Sequence, residues 1–338
     1  MSNEITRFPV LELERISKTF VQKPDLIIKI ARKTGLGIPE QKVLALDDVS
    51  LDVYEGEVLG IVGESGCGKS TLGKIVSGLL SPDKGVIRYR GMGINEANSF
   101  VTRIACLGIQ MIFQNPYSSL NPRMKIRDII GEAAIVHGFT DKNKVDDYVD
   151  SLMIRCGLAP EYKNYYPHQF SGGQCQRIAI ARALAVMPDV LICDEVVSAL
   201  DVSVQAQILN LLTSLREESR LTSVFISHDL RVVEHMSNRI VTMYMGRIVE
   251  IAETGDLLKL PAHPYTCKLF EDAPSLNNRN VEFKSIEREI PSAFNPPSGC
   301  HFHLRCPKKM DICTQAVPKM ISIEPGHKVR CHLFDLPS

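Results

Sequence analysis

The sequence predicts an α/β fold. A mixed sheet forms the centre, with an antiparallel β-subdomain on its N-terminal side, a helical subdomain and a small Cys-rich C-terminal domain. Three observations carry this reading. Val58 to Val62 is an apolar run without alternation, and it leads into a glycine-rich stretch, Gly63 to Thr71. Val190 to Cys193 and Val224 to Ser227 are further buried-strand runs, as expected of parallel strands covered on both faces. Between the glycine-rich stretch and Val190, segments such as KIRDIIGEAAIVHG and KVDDYVDSLMIRCG repeat apolar residues at helical spacing.

Along the chain, residues 8 to 20 alternate apolar and polar and read as an edge strand. Residues 21 to 42 interrupt it with a basic stretch in which Leu26, Ile27, Ile28 and Ile30 stand beside Lys29, Arg32 and Lys33. A short amphipathic helix fits there, and a solvated loop is favoured over contact with a membrane surface. Strand pattern resumes through VLALDDVSLDVYEGEVLGIVG. The helical subdomain occupies about residues 115 to 180. SGGQ then opens the helix QCQRIAIARALAV, which Met187-Pro188 closes. RIVTMYMGRIVEIAETG reads as a hairpin. After Leu260 the chain becomes rich in proline, histidine and cysteine, which divides it into residues 1–260 and 261–338.

The chain has 338 residues, 44% of them hydrophobic, enough for a sizeable core and about two domains. Lys plus Arg and Asp plus Glu are both 39, so no net charge draws the chain to nucleic acid. No apolar run reaches the roughly 20 residues that span a bilayer, and MSNEITRFPV lacks the apolar segment of a signal peptide. A cytosolic location is expected. Six cysteines (Cys67, Cys106, Cys156, Cys175, Cys193 and Cys267) are scattered and read as small buried thiols. Cys300, Cys306, Cys313 and Cys331 crowd the tail, which in a reducing compartment points to metal ligands before disulfides.

The strongest chemical signal is Gly63-Glu64-Ser65-Gly66-Cys67-Gly68-Lys69-Ser70-Thr71, a full match to G-x-x-x-x-G-K-[ST] between a buried strand and a helix. Glycines let backbone amides approach phosphate oxygens, and the helix start adds its positive dipole end. Lys69 is placed to bridge the β- and γ-phosphates of ATP, and Ser70 to ligate Mg²⁺. A chance glycine loop would not also have the strand and helix. The second signal is the pair Asp194-Glu195 ending the run Val190 to Cys193. Asp194 can hold Mg²⁺, and Glu195 can orient or deprotonate the attacking water. A solvated strand end would explain one carboxylate better than two. The third is Ser171-Gly172-Gly173-Gln174, a second anion-binding helix start. An ordinary N-cap explains the serine but not the glycines and glutamine, so this second cradle is expected to complete a site in another copy or a homologous chain.

Phosphate loop, Gln114, SGGQ, carboxylate pair, Ser198-Ala-Leu-Asp201 and His228 stand in the order and spacing of the ATP-binding cassette (ABC) ATPases, which the chain resembles over roughly residues 10 to 255. The resemblance implies the P-loop NTPase fold of an ABC-type nucleotide-binding domain and ATP hydrolysis with Mg²⁺. It implies a head-to-tail dimer with two ATPs, each held between the loop of one chain and the SGGQ of the other. Gln114 is then expected to touch Mg²⁺ and the attacking water and to relay nucleotide state to a membrane partner. His228 resembles the switch histidine, Asp201 the acid crossing the dimer interface, and Phe20 the aromatic that stacks on adenine, against a core phenylalanine as the alternative. Val196 stands where the family usually has proline, and Cys175 where a longer polar residue is common; neither carries chemistry, and a competent site is expected.

The tail adds His263-Pro-Tyr-Thr266, Ala273-Pro and Gly299-Cys-His-Phe-His-Leu-Arg-Cys-Pro307, which resemble the C-terminal extension of dipeptide/oligopeptide importer ATPases over about 261 to 334. The expected function is therefore to energise a membrane importer of di- or oligopeptides at the cytoplasmic face of the plasma membrane. The implied partners are a second ABC ATPase, expected to be a paralogue, two transmembrane permease subunits, and indirectly an extracytoplasmic substrate-binding protein, with no nucleic acid. An importer of another solute such as an oligosaccharide, or a soluble ABC-type ATPase, are the alternatives. The tail cysteines have 5, 6 and 17 residues between them, with no C-x₂-C pair. That disfavours a zinc ribbon and suits a [4Fe-4S] cluster, as some subfamily members carry. A mixed Cys/His Zn²⁺ site using His301, His303, His327 or His332 is the runner-up.

Overall fold

A computed structural model describes residues 8–21, 42–94, 99–272, 294 and 296–335. The principal elements in chain order are β1 (Pro9–Val21), β2 (Lys42–Tyr54), β3 (Val58–Val62), α1 (Lys69–Val76), β4 (Lys84–Tyr89), β5 (Met92–Gly93), α2 (Ser99–Gly108), β6 (Ile109–Ile112), α3 (Ile126–Val136), α4 (Val145–Arg155), α5 (Gly172–Leu184), β7 (Val190–Asp194), α6 (Val202–Ser219), β8 (Thr222–Ile226), α7 (Leu230–Met236), β9 (Arg239–Tyr244), β10 (Arg247–Glu253), α8 (Pro264–Glu271), β11 (Ile321–Glu324) and β12 (His327–Val329). The segment read as an amphipathic helix or loop over 21–42 lies outside the described residues, apart from Val21 ending β1 and Lys42 opening β2. Ala273-Pro of the tail lies outside them as well.

Two sheets form. The first has order β2-β1-β4-β5 and is antiparallel. The second has eight strands in the order β11-β12-β10-β9-β3-β8-β7-β6. Its strands β9, β3, β8, β7 and β6 run parallel, and β10, β12 and β11 add antiparallel neighbours. The expected mixed sheet and antiparallel subdomain are both present. One strand differs from expectation: β1 is interior, pairing with β2 on one side and β4 on the other. Its alternation reflects one face packed on the core, not an edge position.

The unalternating runs have a direct cause. Val190 and Ile192 of β7 face a core shared with the antiparallel sheet and α1, while Leu191 and Cys193 face a second core built with α3, α4, α5 and α6. Both faces of the parallel strands are buried, so every position must be apolar. The helical subdomain is anchored by Ile126, Ile130, Val149 and Met153, all within 1% of full burial.

The tail does not form the separate small Cys-rich domain expected from its composition. β12 pairs antiparallel with β10, and β11 with β12, so the tail completes the edge of the large sheet. Tyr265 and Phe302 pack on Tyr244, Met245 and Val249 in one cluster. A short hairpin has too little core of its own, and the open edge of β10 supplies both hydrogen bonds and apolar surface. Among the described residues, no helix is long and apolar enough to cross a membrane.

Candidate active site

Parallel pairing brings the predicted residues together. In register, Ile61 lies beside Ile226, Ile226 beside Asp194, and Ile112 beside Cys193. The carboxyl ends of β3, β8, β7 and β6 are therefore level, and the segments leaving them carry the phosphate loop, His228, Asp194-Glu195 and Gln114. Ligands of such sheets bind at these ends.

The phosphate loop leaves β3 at Gly63 and enters α1 at Lys69, with Gly68 as the helix N-cap at φ 107°. Gly63 must be glycine: a Cβ there would lie 2.2 Å from the Met243 carbonyl oxygen. Gly66 has open space around it, but its φ of 78° belongs to the left-handed region. Lys69 is buried and donates from Nζ to the carbonyls of Gly63 at 2.7 Å and Glu64 at 3.0 Å. Ser65 and Gly66 are exposed at the loop tip, Cys67 is buried beneath it, and Thr71 is half-buried.

Ser70 Oγ donates to Asp194 Oδ1 at 2.8 Å. Burial raises the Asp194 pKa, the Ser70 hydrogen bond opposes this, and the neighbouring Glu195 charge adds to it. Two converging oxygens, one of them on a buried acid, are a donor set that fits Mg²⁺.

Glu195 adopts the left-handed region at φ 49°. For a non-glycine residue this costs roughly 1 kcal/mol, and it persists because the Glu195 amide donates to the Ile226 carbonyl at 2.9 Å. The turn sends adjacent carboxylates in different directions. Asp194 meets Ser70, whereas Glu195 Oε2 accepts from Gln114 Nε2 at 2.6 Å and its Oε1 stands 3.5 Å from His228 Nδ1. Ser198, named in the sequence only as part of a motif, holds this group: it donates to the Glu195 carbonyl at 2.9 Å and accepts from Gln114 at 3.3 Å. The His228 side chain is 59% exposed, so this cluster opens to the surface.

Ser171 caps α5: its Oγ accepts from the Gln174 amide at 3.3 Å, and Gln174 Oε1 accepts from the Ser171 amide at 3.0 Å. The glutamine of SGGQ thus closes a capping box. Gly173 packs against α6, where a Cβ would lie 2.5 Å from Val204 Cγ1, and Gly172 faces Leu200. Asp201 precedes α6 with no side-chain bond to its first turn. Phe20 is 40% exposed near the end of β1, which removes the alternative of a core phenylalanine.

Each histidine of the mixed zinc alternative has a hydrogen-bond partner. His301 Nδ1 bonds the Met245 carbonyl, His303 Nδ1 the Cys300 carbonyl, His327 Nε2 Glu250, and His332 Nε2 the Ala316 carbonyl. Among the described residues, no group of three or more His, Cys, Asp or Glu side chains could hold a metal ion. The zinc alternative is corrected accordingly.

Comparison with known proteins decides the family. The profile described as "ABC transporter" matches residues 46–198, and "Oligopeptide/dipeptide transporter, C-terminal region" matches 249–313. The oligopeptide transport ATP-binding protein AppF of Bacillus subtilis is 43% identical over 329 residues, covering 96% of this chain and 97% of its own. The chain belongs to the ABC transporter family. The dipeptide transport ATP-binding protein DppF of Escherichia coli is 42% identical over 322 residues, 95% of this chain and 96% of its own. Among solved structures, the dimeric ATP-binding cassette MJ0796 in a post-hydrolysis state with ADP and phosphate superposes with TM-score 0.61 at 28% identity, covering 72% of this chain and 98% of that one. As an ABC ATPase, the chain presents its loop, carboxylate pair, Gln114 and His228 as one cluster.

Proposed function

We propose that the chain is the ATP-hydrolysing subunit that drives import of oligopeptides or dipeptides through a membrane permease. The observation that carries the chemistry is Glu195 held between Gln114 and His228 at the strand ends that also present Lys69, Ser70 and Asp194. The transport role follows from relatives of the same length named as peptide transport ATP-binding proteins.

Lys69 and the loop amides bind the ATP phosphates, and Phe20 stacks on adenine. Ser70 and Asp194 would hold Mg²⁺, whose charge would offset that of the phosphates. Glu195 takes a proton from the attacking water, while Gln114 and His228 hold its carboxylate in place. Ser171 to Gln174 and Asp201 complete the site of a second cassette, so hydrolysis requires a dimer, with a paralogue as the partner. The chain sits peripherally at the cytoplasmic face, with the helical subdomain of about 115–180 against two permease subunits and an extracytoplasmic binding protein beyond them. Functionally the chain divides near residue 260, motor before and extension after.

For the tail we propose a [4Fe-4S] cluster on Cys300, Cys306, Cys313 and Cys331. Its support is that none of these thiols is in a disulfide, that Cys300 and Cys306 pack against one apolar cluster, and that the Cys300 amide bonds the Cys313 carbonyl at 2.9 Å. They do not gather as they would around a single ion. Anaerobic purification should yield visible absorbance from thiolate-bound iron and about four irons per chain; protein without iron would refute it. For the motor, the test is ATP-dependent peptide uptake by the complex reconstituted in vesicles. Uptake should vanish with Glu195→Gln; uptake that persists would refute the assignment.

A further inference from the structure

Two side chains of the C-terminal extension take hold of one residue of the phosphate loop. Arg305 donates from Nη1 to Glu64 Oε2 at 2.8 Å and from Nη2 to Oε1 at 2.7 Å. This two-point geometry is the strongest that guanidinium and carboxylate form. The Arg305 side chain is 2% exposed and that of Glu64 15%, so solvent screens the pair little. Independently, the Glu64 amide donates to Tyr265 Oη at 2.9 Å.

Both grips share one base. Arg305 also donates to Tyr244 Oη at 3.2 Å and lies over the Tyr244 and Phe302 rings at 5.6 and 5.9 Å. Tyr244, Tyr265 and Phe302 pack mutually, with ring centroids 4.6 to 5.4 Å apart. Tyr244 ends β9, the strand beside β3, so the base is continuous with the sheet that presents the loop.

Glu64 is the second residue of Gly63 to Thr71. Its amide is held by Tyr265, its carboxylate by Arg305 and its carbonyl by Lys69. The loop otherwise contains three glycines at positive φ, a backbone free to leave the phosphate-receiving conformation. An acid here would also repel the phosphates unless its charge were matched.

We propose that Arg305 and Tyr265 are positioning residues of the nucleotide site, through which the C-terminal extension holds the phosphate loop in its binding conformation and neutralises Glu64. The proposal rests on the reading of this loop as the ATP site.

The test uses the full chain, titrated with a fluorescent ATP analogue and Mg²⁺, together with the steady-state ATPase of its membrane complex. Arg305→Gln should raise Kd and KM about tenfold, because it leaves a charge unpaired beside the phosphates, with kcat changed less than about twofold. Arg305→Lys should recover part of the loss, and Arg305→Gln with Glu64→Gln should return to within about threefold of wild type. Tyr265→Phe, which removes one oxygen, should raise Kd about threefold and keeps the proposal testable if Arg305→Gln does not fold. Unchanged affinity in folded Arg305→Gln or Tyr265→Phe, or a double variant no better than Arg305→Gln, would overturn it. Wild-type protein that binds no nucleotide would overturn the ATP reading as well, which separates the two failures.

Discussion

Gln114 Nε2 donates to Glu195 Oε2 across 2.6 Å, joining the segment after β6 to the turn after β7. The bond fixes the direction of the carboxylate that is read as the base. Glu195→Gln keeps the shape and removes the base. Turnover should fall by about 10²- to 10⁴-fold, with ATP affinity within about threefold of wild type. Single-turnover hydrolysis and equilibrium binding read the two effects separately.

The Ser70–Asp194 pair should make nucleotide binding depend on Mg²⁺. Chelating the metal, or replacing Asp194 by asparagine, should lower ATPase activity at least about 100-fold. In Asp194→Asn, ATP affinity should no longer respond to added Mg²⁺, which a titration at two Mg²⁺ concentrations detects.

Lys69 is buried and its present partners are loop carbonyls. Lys69→Ala leaves both carbonyls without their donor and removes the phosphate contact. ATP affinity should drop by about 10- to 150-fold, since a hydrogen bond to a charged group contributes about 1.5–3 kcal/mol. Isothermal titration is the check.

Gly173→Ala should destabilise the junction of α5 and α6. The added Cβ would lie 2.5 Å from Val204 Cγ1, and a β-branched valine in a helix has almost no alternative rotamer. The expected cost is about 1–3 kcal/mol, seen as a lower melting temperature.

Acid should loosen the tail. Burial depresses the pKa of His263 to about 3 and, with the Arg247 charge adding, that of His301 to about 4. Both sit below the usual histidine value of about 6.5. The unfolded chain takes up protons first as pH falls, so stability present above about 6.5 is lost progressively toward about pH 4 for His301 and about pH 3 for His263. His263 contributes on the order of 1 kcal/mol per pH unit in that window. Melting temperature from pH 8 to 5 should fall, and His301→Asn should flatten the slope.

Local sequence patterns carried much of the site. Gly63 to Thr71 between an apolar run and a helix, and Asp194-Glu195 after a second run, are contiguous signals whose chemistry follows from residue type and order. His228 was legible only as part of a constellation, because a lone histidine after a strand has no periodic signature. Its neighbourhood with Glu195 comes from β7 and β8 pairing in register. Residues 8 to 20 are legible as a strand but not as an interior one, since alternation reports one buried face and not the number of neighbours.

By itself, then, the sequence determined the strand–loop–helix that receives phosphate, the acids beside it and the SGGQ helix start, because each is encoded within a few consecutive residues. Only the tertiary structure decided that the tail joins the large sheet at β10 and that Arg305 closes on Glu64, 241 positions away. The physical reason is that such contacts depend on which open edge and which unmatched charge the folded core leaves available, and neither leaves a mark in the local pattern.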